Sequence, residues 1–76
     1  MEYIFVTLRS KEEVLYELKI PIHITVSELL KIFRSALGLK IDENAMLHVE
    51  PLGRILGKEE VLSDEEIYNG ALLTLI

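Results

Sequence analysis

The sequence has no cysteine in its 76 residues, so disulfides, thiolate metal sites and cysteine nucleophiles are excluded. It has no long apolar run either. The longest stretch without a formal charge is Ile67 to Ile76, ten residues, against the roughly 20 a spanning helix needs. There is no basic excess: the net charge of −5 disfavours non-specific attraction to nucleic acid or to an anionic membrane surface. The opening Met1-Glu2-Tyr3 lacks the basic start and apolar stretch of a signal peptide, which sets the expectation of a cytosolic location. No repeat or low-complexity segment breaks the chain, so residues 1–76 read as one domain.

What is present is a core. Half of the residues are hydrophobic. A chain this short buries only about 60% of its unfolded surface, so packing must carry the stability and little volume remains for a deep substrate pocket.

Residues 3 to 9 are β-branched and aromatic, and read as a strand with Ile4, Val6 and Leu8 on one face and Tyr3, Phe5 and Thr7 on the other. The polar link Arg9 to Glu13 has no Gly or Asn to fix a turn type. A second strand follows over 14 to 20. It alternates Val14, Tyr16, Leu18 and Ile20 against Leu15, Glu17 and Lys19, and Pro21 ends it. Thr25-Val26-Ser27-Glu28 matches a capping box, with Ile24 and Leu29 placed as a hydrophobic staple. Val26, Leu29, Leu30, Phe33 and Leu37 then recur at helical spacing, and Gly38 sits at the left-handed C-cap position. The spacing predicts a helix over about 26–37. A third strand is expected over 45 to 50, a turn at Pro51-Leu52-Gly53, and a short apolar piece at Ile55-Leu56. Ser63-Asp64-Glu65-Glu66 reads as a second capping box opening a short helical turn near 63–67. After Asn69-Gly70, a last strand is expected over 72 to 76. The result is an α+β layer: a sheet of four to five strands on one main helix.

In this order and spacing the chain resembles the ubiquitin superfamily, the β-grasp fold. The likeness rests on Ile4-Phe5-Val6, the capped helix from Thr25, Leu62-Ser63-Asp64, Ile67 and Leu73-x-Leu75. It implies a mixed sheet with the last strand parallel to the first at its centre. Conjugation is not expected with it, since that chemistry needs a flexible tail ending in two glycines, and this sequence ends at Ile76. By the same likeness, Glu50 replaces ubiquitin's central patch isoleucine, Thr74 its histidine and Ile76 its last-strand valine, while Arg54 and Asn69 stand at two linkage lysines. Binding of ordinary ubiquitin-recognition helices is therefore expected to be poor. Within the superfamily, the ending Ile67 to Ile76 and the Ile20-Pro21 link resemble the YukD/EsaB family. Those are small cytosolic proteins beside bacterial type VII (WXG100) secretion machinery. The resemblance implies an accessory or regulatory role with secretion-machinery components as partners. The alternative is a small structural subunit of a multicomponent enzyme, or a ubiquitin-like domain of a larger protein.

The chemistry-bearing residues are sparse. His23 and His48 repeat no ligand spacing, so no metal or cofactor is expected. Glu59, Glu60, Asp64, Glu65 and Glu66 form an acidic cluster that reads as solvated surface and helix-start charge. Ser10, Ser27, Ser35 and Ser63 have turn, cap or surface explanations, and no catalytic set is discernible, so the chain is not expected to be an enzyme. The candidate site is instead a face. If the strand phases hold, Tyr3, Phe5, Met46, His48, Leu72, Thr74 and Ile76 share the outward side of the sheet. That is much apolar and aromatic surface for a side facing water, which marks protein interfaces. The edge of the second strand offers strand addition from a partner or a second copy, consistent with a monomer or weak homodimer.

Overall fold

A computed structural model describes residues 2–76. The elements run β1 (Tyr3–Arg9), β2 (Leu15–Pro21), α1 (Val26–Leu37), β3 (Leu47–Glu50), β4 (Arg54–Leu56), a 3-10 turn (Leu62–Asp64) and β5 (Ala71–Leu75). They form one five-stranded mixed sheet in the order β2-β1-β5-β3-β4. β1 and β2 are an antiparallel hairpin, as are β3 and β4, and β5 joins the two, parallel to β1 and antiparallel to β3. The central parallel pair expected from the resemblance is thus present.

Alternation decides which side of each strand is dry. Ile4, Val6 and Leu8 of β1, Leu47 and Val49 of β3, Leu56 of β4, and Ala71, Leu73 and Leu75 of β5 are buried against the helix. From α1, Val26, Leu29, Leu30 and Phe33 close the core, and Leu37 is half-buried at its margin. Phe33 is 1% exposed; truncating so large a buried ring to Ala costs about 4 kcal/mol.

The helix starts and stops where the sequence places it. Thr25 Oγ1 accepts from the Glu28 N–H, and the Glu28 carboxylate accepts from the Thr25 N–H at 3.1 Å, completing the box. The next helix donors are met by chain from far along the sequence. Val26 N–H donates to Glu60 O and Ser27 N–H to Lys58 O. Gly38 takes φ 66° and returns its N–H to Arg34 O, a conformation that favours glycine.

The structure departs from the sequence reading at several places. Ser63 is no N-cap. The N-cap position is Val61, two residues earlier; the helical turn spans Leu62–Asp64 and makes no side-chain cap bond. The cause is tertiary. Leu62 N–H donates to Ile24 O and Ser63 N–H to Ile22 O, and Val61 bridges Thr25, so this segment is tied to the loop before α1 and Leu62 is buried. β2 begins at Leu15, not Val14, which is 47% exposed and closes the preceding turn. There its N–H donates to Ser10 Oγ, and Glu13 adopts φ 63°, the left-handed residue the turn needs in the absence of glycine. β3 starts at Leu47, since Ala45 N–H closes a turn onto Asp42 O. β5 runs one residue earlier than expected, although Ile76 and Met46 still exchange both backbone hydrogen bonds.

The Thr25 cap gives two testable outcomes. Thr25→Ala should lower unfolding free energy by about 1 kcal/mol in urea titrations. The Glu28 carboxyl lies below its usual range, held first by the Thr25 N–H, then by the Thr25 hydroxyl and the nearby Lys31 charge. A depressed folded-state pKa adds stability above the unfolded value, about 4.3 for glutamate. That stability is lost as pH falls through the folded value. The stability gap between the native chain and Glu28→Gln should therefore narrow as pH drops below that point. A gap constant with pH would show that the ionised carboxylate contributes nothing.

Candidate protein-interaction surface

The strand registers lay the outer face out as rows of neighbours. Lys19 stands opposite Phe5, Glu17 opposite Thr7, and Leu15 opposite Arg9. Across the parallel ladder Thr7 is level with Leu72 and Arg9 with Thr74. Leu72 then faces Glu50, and Thr74 faces His48, which in turn faces Ile55. Residues directly opposite share a face. All seven candidates therefore stand on the side of the sheet away from α1. Tyr3 is 48% exposed, Phe5 61%, Met46 40% and Ile76 40%, while His48, Leu72 and Thr74 are partly covered by their neighbours.

Those seven do not form one uniform patch. Tyr3 and Phe5 make an aromatic corner at the start of β1. Met46 and Ile76 lie at the opposite end of the face, with His48 and Thr74 beside them. From the spacing of strand residues the two ends are roughly 20 Å apart. Leu72 lies between, within a polar band. There the Thr7 hydroxyl donates to the Glu17 carboxylate at 3.0 Å, and Arg9 and Glu50 flank it. Glu50 sits opposite Leu72 and approaches His48 Nδ1 at 3.7 Å, so its charge borders the Met46–Ile76 end.

Two groups fix the aromatic corner. Asn69 Oδ1 accepts from the Phe5 N–H at 2.8 Å, and Gly70 N–H donates to Phe5 O at 2.8 Å, so the turn before β5 clamps the Phe5 backbone. Lys19 Nζ stands 5.3 Å from the Tyr3 ring centre and 5.9 Å from that of Phe5, a cation–π arrangement. The candidate set omitted Lys19, Leu15 and Ile55. Alternation already placed Leu15 with Lys19 on the outer side. The closeness of Lys19 to the rings is a cross-strand register, which alternation alone does not reveal. Ile55, 50% exposed, belongs to a three-residue strand too short for alternation to show a face.

Other polar groups tie the fold together. Arg54 bonds to Glu60 and Glu65, tying β4 to the loop and turn that follow. Two members of the acidic cluster thus share one guanidinium within the domain. His23 Nε2 lies 3.0 Å from Glu2 at the far end of the β1–β2 hairpin, remote from His48 on β3. Among the described residues no three His, Asp or Glu side chains converge as metal ligands, and no helix is long and apolar enough to cross a membrane.

No family model matches the chain, and no curated protein matches it. Solved structures do. A protein described by molecular mimicry of SUMO that promotes DNA repair superposes with a TM-score of 0.76 at 21% identity, over 100% of this chain and 92% of that one. A de novo design based on ubiquitin gives 0.76 at 19% identity, over 97% and 87%. The ubiquitin-like domain of an Arabidopsis thaliana protein gives 0.76 at 15% identity, over 100% and 78%. The chain has the ubiquitin-like fold.

The clamp on Phe5 yields a direct check. Asn69→Ala should speed hydrogen exchange of the Phe5 amide by about tenfold and cost about 1 kcal/mol. Unchanged protection of that amide would mean that Asn69 does not hold it.

Proposed function

We propose that this chain is a ubiquitin-like module that binds another protein without covalent attachment, using the outer face of its sheet. The observation that carries this reading is the exposed Tyr3–Phe5 corner, braced by Lys19 and clamped from behind by Asn69 and Gly70. Exposed aromatic side chains on a rigid sheet lose little freedom on binding, and aromatic anchors dominate interface energies. Leu72 and the Met46–Ile76 pair extend the contact, and the polar band around Leu72 supplies hydrogen-bonding specificity. Caps, turns and strand ties occupy Ser10, Thr25, Glu28, Arg34, Arg54 and Asn69. The partner we propose is a protein component of a type VII (WXG100) secretion system, with this chain as its cytoplasmic accessory or regulatory subunit. The Ile67–Ile76 segment and the Ile20-Pro21 link support that assignment through their resemblance to YukD/EsaB sequences.

The test is affinity capture from the source cell with the native chain and with Phe5→Ala/Ile76→Ser. Both positions are exposed, so the two proteins should melt within a few degrees of each other. The native chain should retain a defined partner that the double variant loses. Equal retention would remove the sheet face as the docking site. Secretion ATPase or WXG100 proteins among the retained species support the secretion assignment; their consistent absence contradicts it. Incubation with a ubiquitin-activating enzyme and ATP should leave the mass of the chain unchanged.

A further inference from the structure

The sheet has two edges, and they differ. β4 is three residues long, and its Arg54 is engaged by two carboxylates. β2 is seven residues long and, among the described residues, pairs with β1 alone. Its ladder with β1 fixes which backbone groups are spent. Ser10 N–H donates to Val14 O and Ile22 N–H to Glu2 O, which sets the hydrogen-bonded pairs at every second residue. Val14, Tyr16, Leu18, Ile20 and Ile22 thus turn their peptide groups toward β1. Leu15, Glu17 and Lys19 present N–H and C=O to open solvent, and Pro21 presents a carbonyl alone.

We infer that β2 pairs antiparallel with β2 of a second copy, in the register that sets Glu17 of each chain opposite Lys19 of the other. The edge is self-complementary in this register. A twofold axis through Leu18 puts the hydrogen-bonded pairs only at residues whose peptide groups face outward, and it is isologous. Each Glu17–Lys19 pair exchanges both backbone hydrogen bonds. At either end the Leu15 N–H meets the Pro21 carbonyl of the other copy. Pro21 lacks only a donor, and it falls at the margin of the ladder where that loss is tolerated.

The charges select this register over its neighbours. Shifting by two residues one way sets Glu17 against Glu17, and the other way sets Lys19 against Lys19. Like charges directly opposite are destabilising and opposite charges are stabilising. Both side chains are already held on the outer face. Glu17 is bonded to the Thr7 hydroxyl, and Lys19 stands over Tyr3 and Phe5. A carboxylate has acceptor capacity beyond the Thr7 bond, so Glu17 can meet the second copy's Lys19 without releasing its own strand neighbour. On the helix side Leu18, half-buried in the single chain, meets Leu18 of the second copy at the axis. A strand-edge seam buries little area, which places the dimer in the weak class.

Charge reversal tests it. By sedimentation equilibrium from about 10 μM to about 1 mM, the native chain should dimerise. Glu17→Lys and Lys19→Glu should each weaken self-association by at least about tenfold, because each sets like charges opposite. Mixing the two variants restores both pairs, so the mixture should associate as a heterodimer at least as well as the native chain, as should the double variant carrying both reversals. Circular dichroism of each variant confirms that the domain is folded, and the mixture supplies its own control if one variant is less stable alone. A native chain that stays monomeric across this range overturns the proposal. So does undiminished dimerisation of either single variant, or a mixture that fails to associate.

Discussion

The structure depends on β5 entering between β1 and β3. Without it the sheet is two separate hairpins, β1–β2 and β3–β4, and isolated two-stranded hairpins are marginal in water. β5 runs parallel to β1, and strands paired in parallel cannot be joined by a tight turn. Everything from β2 to the 3-10 turn lies in that crossover. The helix lies over the sheet within it and covers Ala71, Leu73 and Leu75. The same alternation that buries those three sends Leu72 and Thr74 outward. A one-residue slip of β5 would exchange the two sets. The register that makes the core therefore also makes the candidate binding face.

The parts of this arrangement legible in the sequence are those governed by near neighbours. The helix is bounded correctly because Thr25, Glu28 and Gly38 act within one turn of the residues they cap. The outward side of each strand follows from period-two alternation, so all seven surface candidates fall on one face. Where distant segments meet, local signals mislead. Ser63-Asp64-Glu65-Glu66 has the form of a capping box, but bonds to Ile22 and Ile24 set the chain's path there and bury Leu62. Val14 continues the apolar alternation, but the turn at Ser10 claims its backbone. The placement of β5 came from the whole-chain resemblance, since nothing in Ala71–Leu75 alone distinguishes a central parallel strand from an edge. Neither the division of the face into two apolar ends nor the position of Lys19 over two rings was legible, because both are consequences of cross-strand register.

The domain's charges follow the same division of labour. Arg54 with Glu60 and Glu65, and Arg34 on the carbonyls of Ile41 and Asp42, hold connecting segments to the framework. Thr7, Glu17, Lys19 and Glu50 instead stand on the outer face, among apolar side chains that are exposed or partly exposed. A flat face with aromatic anchors, a polar middle and an open, charge-marked edge suits recognition of other folded or extended protein surfaces. Pairing along β2 would leave that face open and continue it across the axis, so a dimer would present two copies of the aromatic corner near its centre.

Site-specific photo-crosslinking in the living source cell tests the central claim most directly. A photoreactive phenylalanine replaces Phe5 in one strain and Leu72 in a second. In a third it replaces Ser35, on the solvent side of α1, as the control. Adducts of a defined mass with another protein are expected from Phe5 and Leu72 and not from Ser35. Adducts from Ser35 alone, or none from either sheet position, would contradict a docking surface on this face.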